Sequence, residues 1–189
     1  MSGTSKPIPP RPGRGAGKAR LHEILRVDHA GELAAVQIYR GQQAVFAHAP
    51  GYEGAEAEVA EMGAQEQGHL AAFDRLLTEH GARPSLLTPV WRAAGFALGA
   101  ATALMGEKAA HACTEAVENV IEQHYAAQIE ELNEREPALA RALSGYRDDE
   151  LAHRDRAVEQ GAHEAPGYGL LSAVIRAGCH AAIKAAEKV

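Results

Sequence analysis

Only two cysteines occur in the 189 residues, Cys113 and Cys179, and they form neither a CxxC pair nor a cysteine-rich framework. A disulfide scaffold and a four-cysteine zinc or rubredoxin-like site are therefore excluded, and with no secretory apolar region a reducing, cytosolic compartment is expected. Aromatic residues make up 5% of the chain, and nowhere does apolar/polar alternation run long enough to suggest strands. Abundant alanine in their place favours close-packed helices. Positive charge is scarce as well, and five of the 19 basic residues (Lys6, Arg11, Arg14, Lys18, Arg20) lie in the acid-free first 20 positions. The rest holds 14 basic against 25 acidic residues, a net of −11, which argues against nucleic acid as a partner because such binding needs basic patches.

The segment 1–20 is rich in proline, glycine and arginine without apolar periodicity, and it reads as a disordered basic lead. A transit peptide is the alternative, although it would be amphipathic and richer in serine. Residues 21–189 are long enough for one domain with one core. Helical spacing of apolar residues, with breaks at "HAPGY", Gly81/Pro84, Pro137 and "APGYG", predicts helices at about 21–47, 53–80, 107–134 and 137–162. Two further segments, 86–106 and 169–187, are unusually apolar. The expected fold is all-α: an antiparallel four-helix bundle of ferritin-like kind with two additional apolar or amphipathic helices.

Within this pattern lies a weak internal repeat. Glu66 and His69 are three apart in "EQGH", as are Glu150 and His153 in "ELAH". Glu32 precedes Glu66 by 34 residues and Glu118 precedes Glu150 by 32, while Tyr39 and Tyr125 each follow the first Glu of their half by seven. Either pair alone is ordinary on an acidic helix surface. Together the residues supply one Glu from each of two helices and Glu-x-x-His from the other two, which is the ligand pattern of dinuclear carboxylate bundles. Residues three apart share a helix face, so each pair can grip one ion. Burying four ionised carboxylates is costly unless cations compensate them, and two divalent ions cancel four charges. An oxygen-rich set with two imidazoles and no thiolate suits iron or manganese better than structural zinc. The predicted metal ligands are Glu32, Glu66, His69, Glu118, Glu150 and His153. Asp149 and Asp28 are candidate hydrogen-bond partners for the histidines. Tyr39 and Tyr125 either line the pocket beside the metals or pack the core, and His29 and His124 are left without a role in the ligand count.

The stretches "VDHAGELAAVQIYRGQ", "EQGHLAAFDRLL", "ACTEAVENVIEQHYAAQI" and "DDELAHRD" resemble the demethoxyubiquinone hydroxylases of ubiquinone biosynthesis, over about residues 21–189. The resemblance implies a di-iron monooxygenase that hydroxylates the ring of polyprenylated demethoxyubiquinol with O2, and the family's six ligand positions are all filled by the expected residue types. It makes Glu66 and Glu150 the bridging carboxylates, and it implies NADH-derived electrons, although no GxGxxG fingerprint is present. It also implies a peripheral place on the cytoplasmic face of a bacterial inner membrane, or on the matrix face of the mitochondrial inner membrane. The expected partners are membrane lipid and the quinol, together with a second copy or an accessory lipid-binding protein.

In segment 86–106, Leu87, Trp91, Ala94, Leu98, Ala101 and Met105 recur as one apolar stripe. Leu171, Val174, Ile175, Gly178, Ala182 and Ala186 do the same in 169–187, with Arg176, His180 and Lys184 on another face. Such helices suit the membrane interface better than a span, or else they bury against the bundle. Two other functions remain open. A ferritin- or rubrerythrin-like ferroxidase or peroxide-handling protein would form a soluble cage or carry an extra four-cysteine site, and a non-catalytic lipid-binding bundle would hold no metal at Glu66 and His153.

Overall fold

The computed structural model describes residues 17–189, and the expected lead falls outside them apart from its last four positions. Among the described residues there are six α-helices and no strand: α1 Lys18–Phe46, α2 Glu53–His80, α3 Thr88–Leu104, α4 Glu107–Leu132, α5 Pro137–Glu159 and α6 Tyr168–Ala186. A single 3-10 turn, Ala162–Glu164, precedes α6. Helix α1 begins three residues before the expected start, so Lys18 and Arg20 are helical. Arg20 is held there by Glu23 and, from α4, by Glu131.

The breaks have local causes. Helix α2 stops where Gly81 enters the left-handed region at φ 65, and the Gly81 and Ala82 N–H groups donate back to the carbonyls of Thr78 and Leu77. Pro137 opens α5 in the first turn, where a missing N–H costs nothing.

Helices α1, α2, α4 and α5 form the bundle. α1 and α4 are antiparallel, since Asp28 meets Gln128, Tyr39 meets Glu118 and Gln42 meets Ala110. The third helix of each half folds back along the first. Gly95 and Gly99 of α3 lie on Ala34 and Ile38 of α1, so the two helices run parallel. Likewise Leu171 and Ile175 of α6 pack beside Ala112 and Cys113 of α4. The duplication thus extends from a helix hairpin to a three-helix unit, and α3 and α6 cover the outer side of the α1/α4 pair.

The apolar stripe expected on α3 is divided between the packed and the outward face. Its buried residues are Gly95, Gly99, Thr102 and Ala103, while Leu98 and Trp91 are half-buried and Ala94, Ala101 and Met105 are exposed. Glycines set this face because α3 meets α1 backbone to backbone, so the smallest residues are buried and the large apolar ones are left outside. In α6 the same holds: Ile175 and Ala186 are buried, whereas Val174 and Gly178 face outward. The outcome is an exposed apolar surface that includes Val90, Phe96 and Leu104 (76% exposed) of α3 and Leu170 (75%) and Val174 of α6. Among the described residues no helix is long and apolar enough to cross a membrane.

Candidate metal centre

All six predicted ligands meet inside the bundle, and all six are buried. They form two overlapping groups, Glu32/Glu66/His69/Glu150 and Glu66/Glu118/Glu150/His153, with the ligand atoms in each group within 4.8 Å of one another. Glu66 and Glu150 belong to both groups, which is the position two bridging carboxylates would occupy. His69 Nδ1 lies 3.4 Å from Glu150, 3.5 Å from Glu32 and 3.8 Å from Glu66. His153 Nδ1 lies 3.0 Å from Glu66 and 3.5 Å from Glu150.

The sequence folds this way because one turn from each of four helices faces one axis, between two apolar clusters. Ile24, Leu25, Phe73 and Leu143 close one end, and Phe46, Val59 and Met62 close the other. Water is excluded from both directions, so the polar atoms depend on one another. Glu32 Oε2, Glu66 Oε1, His69 Nδ1, Glu118 Oε2, both Glu150 oxygens and His153 Nδ1 have no hydrogen-bond partner. Buried orphans are rare in native proteins, and seven converging on one point fit a missing cation.

Charge in the metal-free cluster is settled by protons instead. Burial, and then the neighbouring Glu150, hold the Glu66 and Glu118 carboxyls well above the ordinary carboxylate range. Burial also raises Glu32. Burial alone would raise Glu150 too, but the His153 and His69 imidazoles, 3.5 and 3.4 Å away, outweigh it and hold this carboxyl below the ordinary range. His69 is disfavoured as a cation by burial, yet its contacts with Glu150 and Glu32 push it up to about 10.

The tyrosines do more than pack. Tyr39 OH donates to Glu118 Oε1 at 2.9 Å, and Tyr125 OH donates to Glu32. Each phenol therefore serves the carboxylate of the opposite half, across the pseudo-twofold between α1 and α4. Burial, then the facing carboxylate, keeps both phenols protonated as donors.

Asp149 accepts from His69 Nε2 at 3.1 Å, which leaves Nδ1 directed inward. Its counterpart is Gln65, whose Oε1 accepts from His153 Nε2 at 2.6 Å. The sequence reading did not single out Gln65, although the repeat contains the signal: Gln65 precedes Glu66 as Asp149 precedes Glu150. Asp28 is not a partner of either ligand histidine; it accepts from Gln128 at 2.7 Å and lies 3.5 Å from His124. His29 pairs with Asp74. The cysteines stay free, and burial pushes Cys113 to about 12 and Cys179 to about 11, so neither offers a thiolate.

Beside the cluster runs a cleft of about 30 Å³ between α1, α4 and α6, lined by Val27, Gly31, Glu32, Ile121, Tyr125 and Ile183 with Asp28 and His124. Glu32 and Tyr125 line it from the cluster and Ile183 from α6.

A helical bundle with two such buried groups belongs to the class that holds metal ions with shared glutamates and histidines. Within that class, the chain belongs to the family described as ubiquinone biosynthesis protein COQ7, which matches residues 19–186. It is 46% identical over 178 residues to the 3-demethoxyubiquinol 3-hydroxylase of Rhodospirillum rubrum, covering 94% of this chain and 82% of that protein. It is 43% identical over 175 residues to the mitochondrial NADPH-dependent 3-demethoxyubiquinone 3-hydroxylase of Mus musculus, covering 90% and 79%. To the mitochondrial 5-demethoxyubiquinone hydroxylase of Saccharomyces cerevisiae it is 39% identical over 189 residues, covering 92% and 80%.

Proposed function

We propose that this protein is a 3-demethoxyubiquinol 3-hydroxylase: an O2-dependent monooxygenase that adds one hydroxyl to the ring of polyprenylated demethoxyubiquinol, yielding demethylubiquinol, and that holds two iron ions. The observation that carries the proposal is the pair of overlapping ligand groups sharing Glu66 and Glu150, in a chain of this family. One oxygen atom enters the ring, the other leaves as water, and two electrons are drawn from an NADH-derived reductant.

The iron pair would supply reduction of O2 in a dry site. The protein's own residues do the rest. Glu32, Glu66, His69, Glu118, Glu150 and His153 hold the ions, while Asp149 and Gln65 fix the imidazole tautomers. Tyr39 and Tyr125 donate to Glu118 and Glu32 and so favour their ionised forms. The apolar clusters at both ends keep water out. The cleft lined by Val27, Gly31, Ile121 and Ile183 reaches Glu32 but is the size of one water, so these side chains would have to part for a quinol ring to approach.

The polyprenyl tail stays in lipid, so the enzyme works at a membrane surface. The exposed side chains of Val90, Phe96, Leu104, Leu170 and Val174 suit insertion below the headgroups, with the exposed Arg92 and Lys184 on the same two helices to meet anionic lipid. On this reading the protein is peripheral, on the cytoplasmic face of a bacterial inner membrane, and the cleft beneath α6 opens toward the bilayer.

The test combines loading and turnover. Anaerobically reconstituted protein is expected to take up two irons per chain and, with reductant and 18O2, to convert demethoxyquinol to a product carrying one labelled oxygen. A protein loaded with two irons that leaves the quinol unconverted refutes the substrate, and one that binds no iron refutes the site.

A further inference from the structure

The two halves of the centre are related by the repeat in every ligand and in both tyrosines, yet they differ at one position. The hydrogen-bond acceptor behind His69 is the carboxylate of Asp149, at 3.1 Å; the acceptor behind His153 is the amide oxygen of Gln65, at 2.6 Å. Both acceptors come from the residue just before a shared glutamate, on the helix opposite the histidine they hold. The geometry is therefore matched while the charge is not.

From this we infer that the two metal positions are unequal by construction: the Glu32/His69 position binds its ion more tightly than the Glu118/His153 position. Asp149 is the positioning residue that sets the difference, acting through His69. The inference rests on the two-metal reading of the site and goes beyond it.

The physical cause is that a carboxylate behind an imidazole raises the basicity of the ligating nitrogen and adds a negative charge close to the ion. A neutral amide fixes the same tautomer without either effect. The Asp149 side chain is 52% exposed, so solvent screens its direct field on the ion. Its hydrogen bond to a ring that is itself buried transmits the remainder. Elsewhere the tyrosine donors are exchanged symmetrically, Glu66 and Glu150 are common to both positions, and the further buried carboxyl of Asp28 lines the cleft on the Glu32 side. The favoured position is also the one next to the cleft, since Glu32 and Tyr125 line it and Glu118 does not.

The test is anaerobic titration of the full-length metal-free protein with Fe(II), followed by calorimetry, with the steps assigned by His69→Ala and His153→Ala. Wild type is expected to fill in two resolved steps, the tighter one lost in His69→Ala. Asp149→Asn keeps the hydrogen-bond geometry but removes the charge, and it should weaken the tighter step about 10-fold or more while leaving the weaker one in place. Asp149→Glu should restore the separation. Gln65→Glu should tighten the weaker step toward the first, which keeps the inference testable if Asp149→Asn folds poorly. Two indistinguishable steps in wild type overturn the inference and leave the two-metal site standing. Equal weakening of both steps by Asp149→Asn, or no tightening by Gln65→Glu, overturns it as well. Absence of iron binding in wild type overturns both this and the proposed function.

Discussion

Gly99 sits where α3 crosses α1, and replacing it with alanine tests how the outer helices are held. A Cβ built there would lie 1.9 Å from the Ile38 carbonyl oxygen, 2.7 Å from its carbon and 2.9 Å from its Cα. All three are backbone atoms of a long helix, so no side chain can turn aside to make room. Relief requires α3 to withdraw by about 1.5 Å, from 1.9 Å to the 3.4 Å at which such contacts become ordinary. A gap of that size forfeits much of the dispersion energy along the α1/α3 contact. Overpacking costs about 1–3 kcal/mol, here the upper end, and the better helix propensity of alanine offsets about 1. The net loss of about 2 kcal/mol should lower the melting temperature by roughly 4–8 °C in a chain of this size. Gly178 of α6 is the control: it is exposed with nothing within 4 Å of its Cβ position, so Gly178→Ala should be neutral or stabilising. Thermal unfolding of the iron-loaded variants measures both. The iron content of Gly99→Ala should stay at the wild-type level, because the ligands lie on the other four helices. A Gly99→Ala protein that melts with or above wild type would refute the close backbone approach.

Removal of metal should make stability strongly pH-dependent. Glu66, Glu118 and His69 all hold protons in the folded metal-free state above their ordinary pKa, so folding is favoured at low pH and its advantage fades as pH rises. For the two carboxyls the loss begins above about 4.5, and for His69 it runs from 6.5 to about 10. The melting temperature of metal-free protein should therefore fall between pH 5 and 9, while that of loaded protein stays higher and flatter; a rise in the metal-free curve would contradict the proton distribution. Tyr125→Phe leaves the buried Glu32 without its donor and should cost about 1–3 kcal/mol in urea unfolding, with Tyr39→Phe doing the same at Glu118. Glu66→Ala removes a carboxylate shared by both groups and should abolish binding of both ions by elemental analysis, whereas retention of two irons would exclude the shared role. Leu104→Asp combined with Leu170→Asp should release the protein from anionic vesicles in flotation without changing its iron content; undiminished binding would place the lipid contact elsewhere.

The six residues that cluster in the bundle were legible in the sequence because the pattern that unites them is local. Glu-x-x-His fixes two side chains on one helix face whatever the rest of the chain does, and the repeat offsets of Glu32 and Glu118 supplied the partners. The breaks at Gly81 and Pro137 were equally readable, since each acts within one turn. What lies across the bundle was not. That Tyr39 serves Glu118 rather than Glu32 depends on α1 and α4 being antiparallel, and the identity of Gln65 as a histidine's partner depends on which helices face each other. Asp28 shows the converse, a residue of the right type drawn away by Gln128 from the next helix. The outward face of α3 was also undetermined, because the residues that pack on α1 are Gly95, Gly99, Thr102 and Ala103 and not the large apolar side chains that a helical stripe counts. Only the glycine contact with the α1 backbone decided it. The sequence determined which residues could together hold a cation, since two Glu-x-x-His pairs and a Glu on each of two more helices make such a set. The tertiary structure decided which neighbour holds each of them, and so how the two halves of the centre differ.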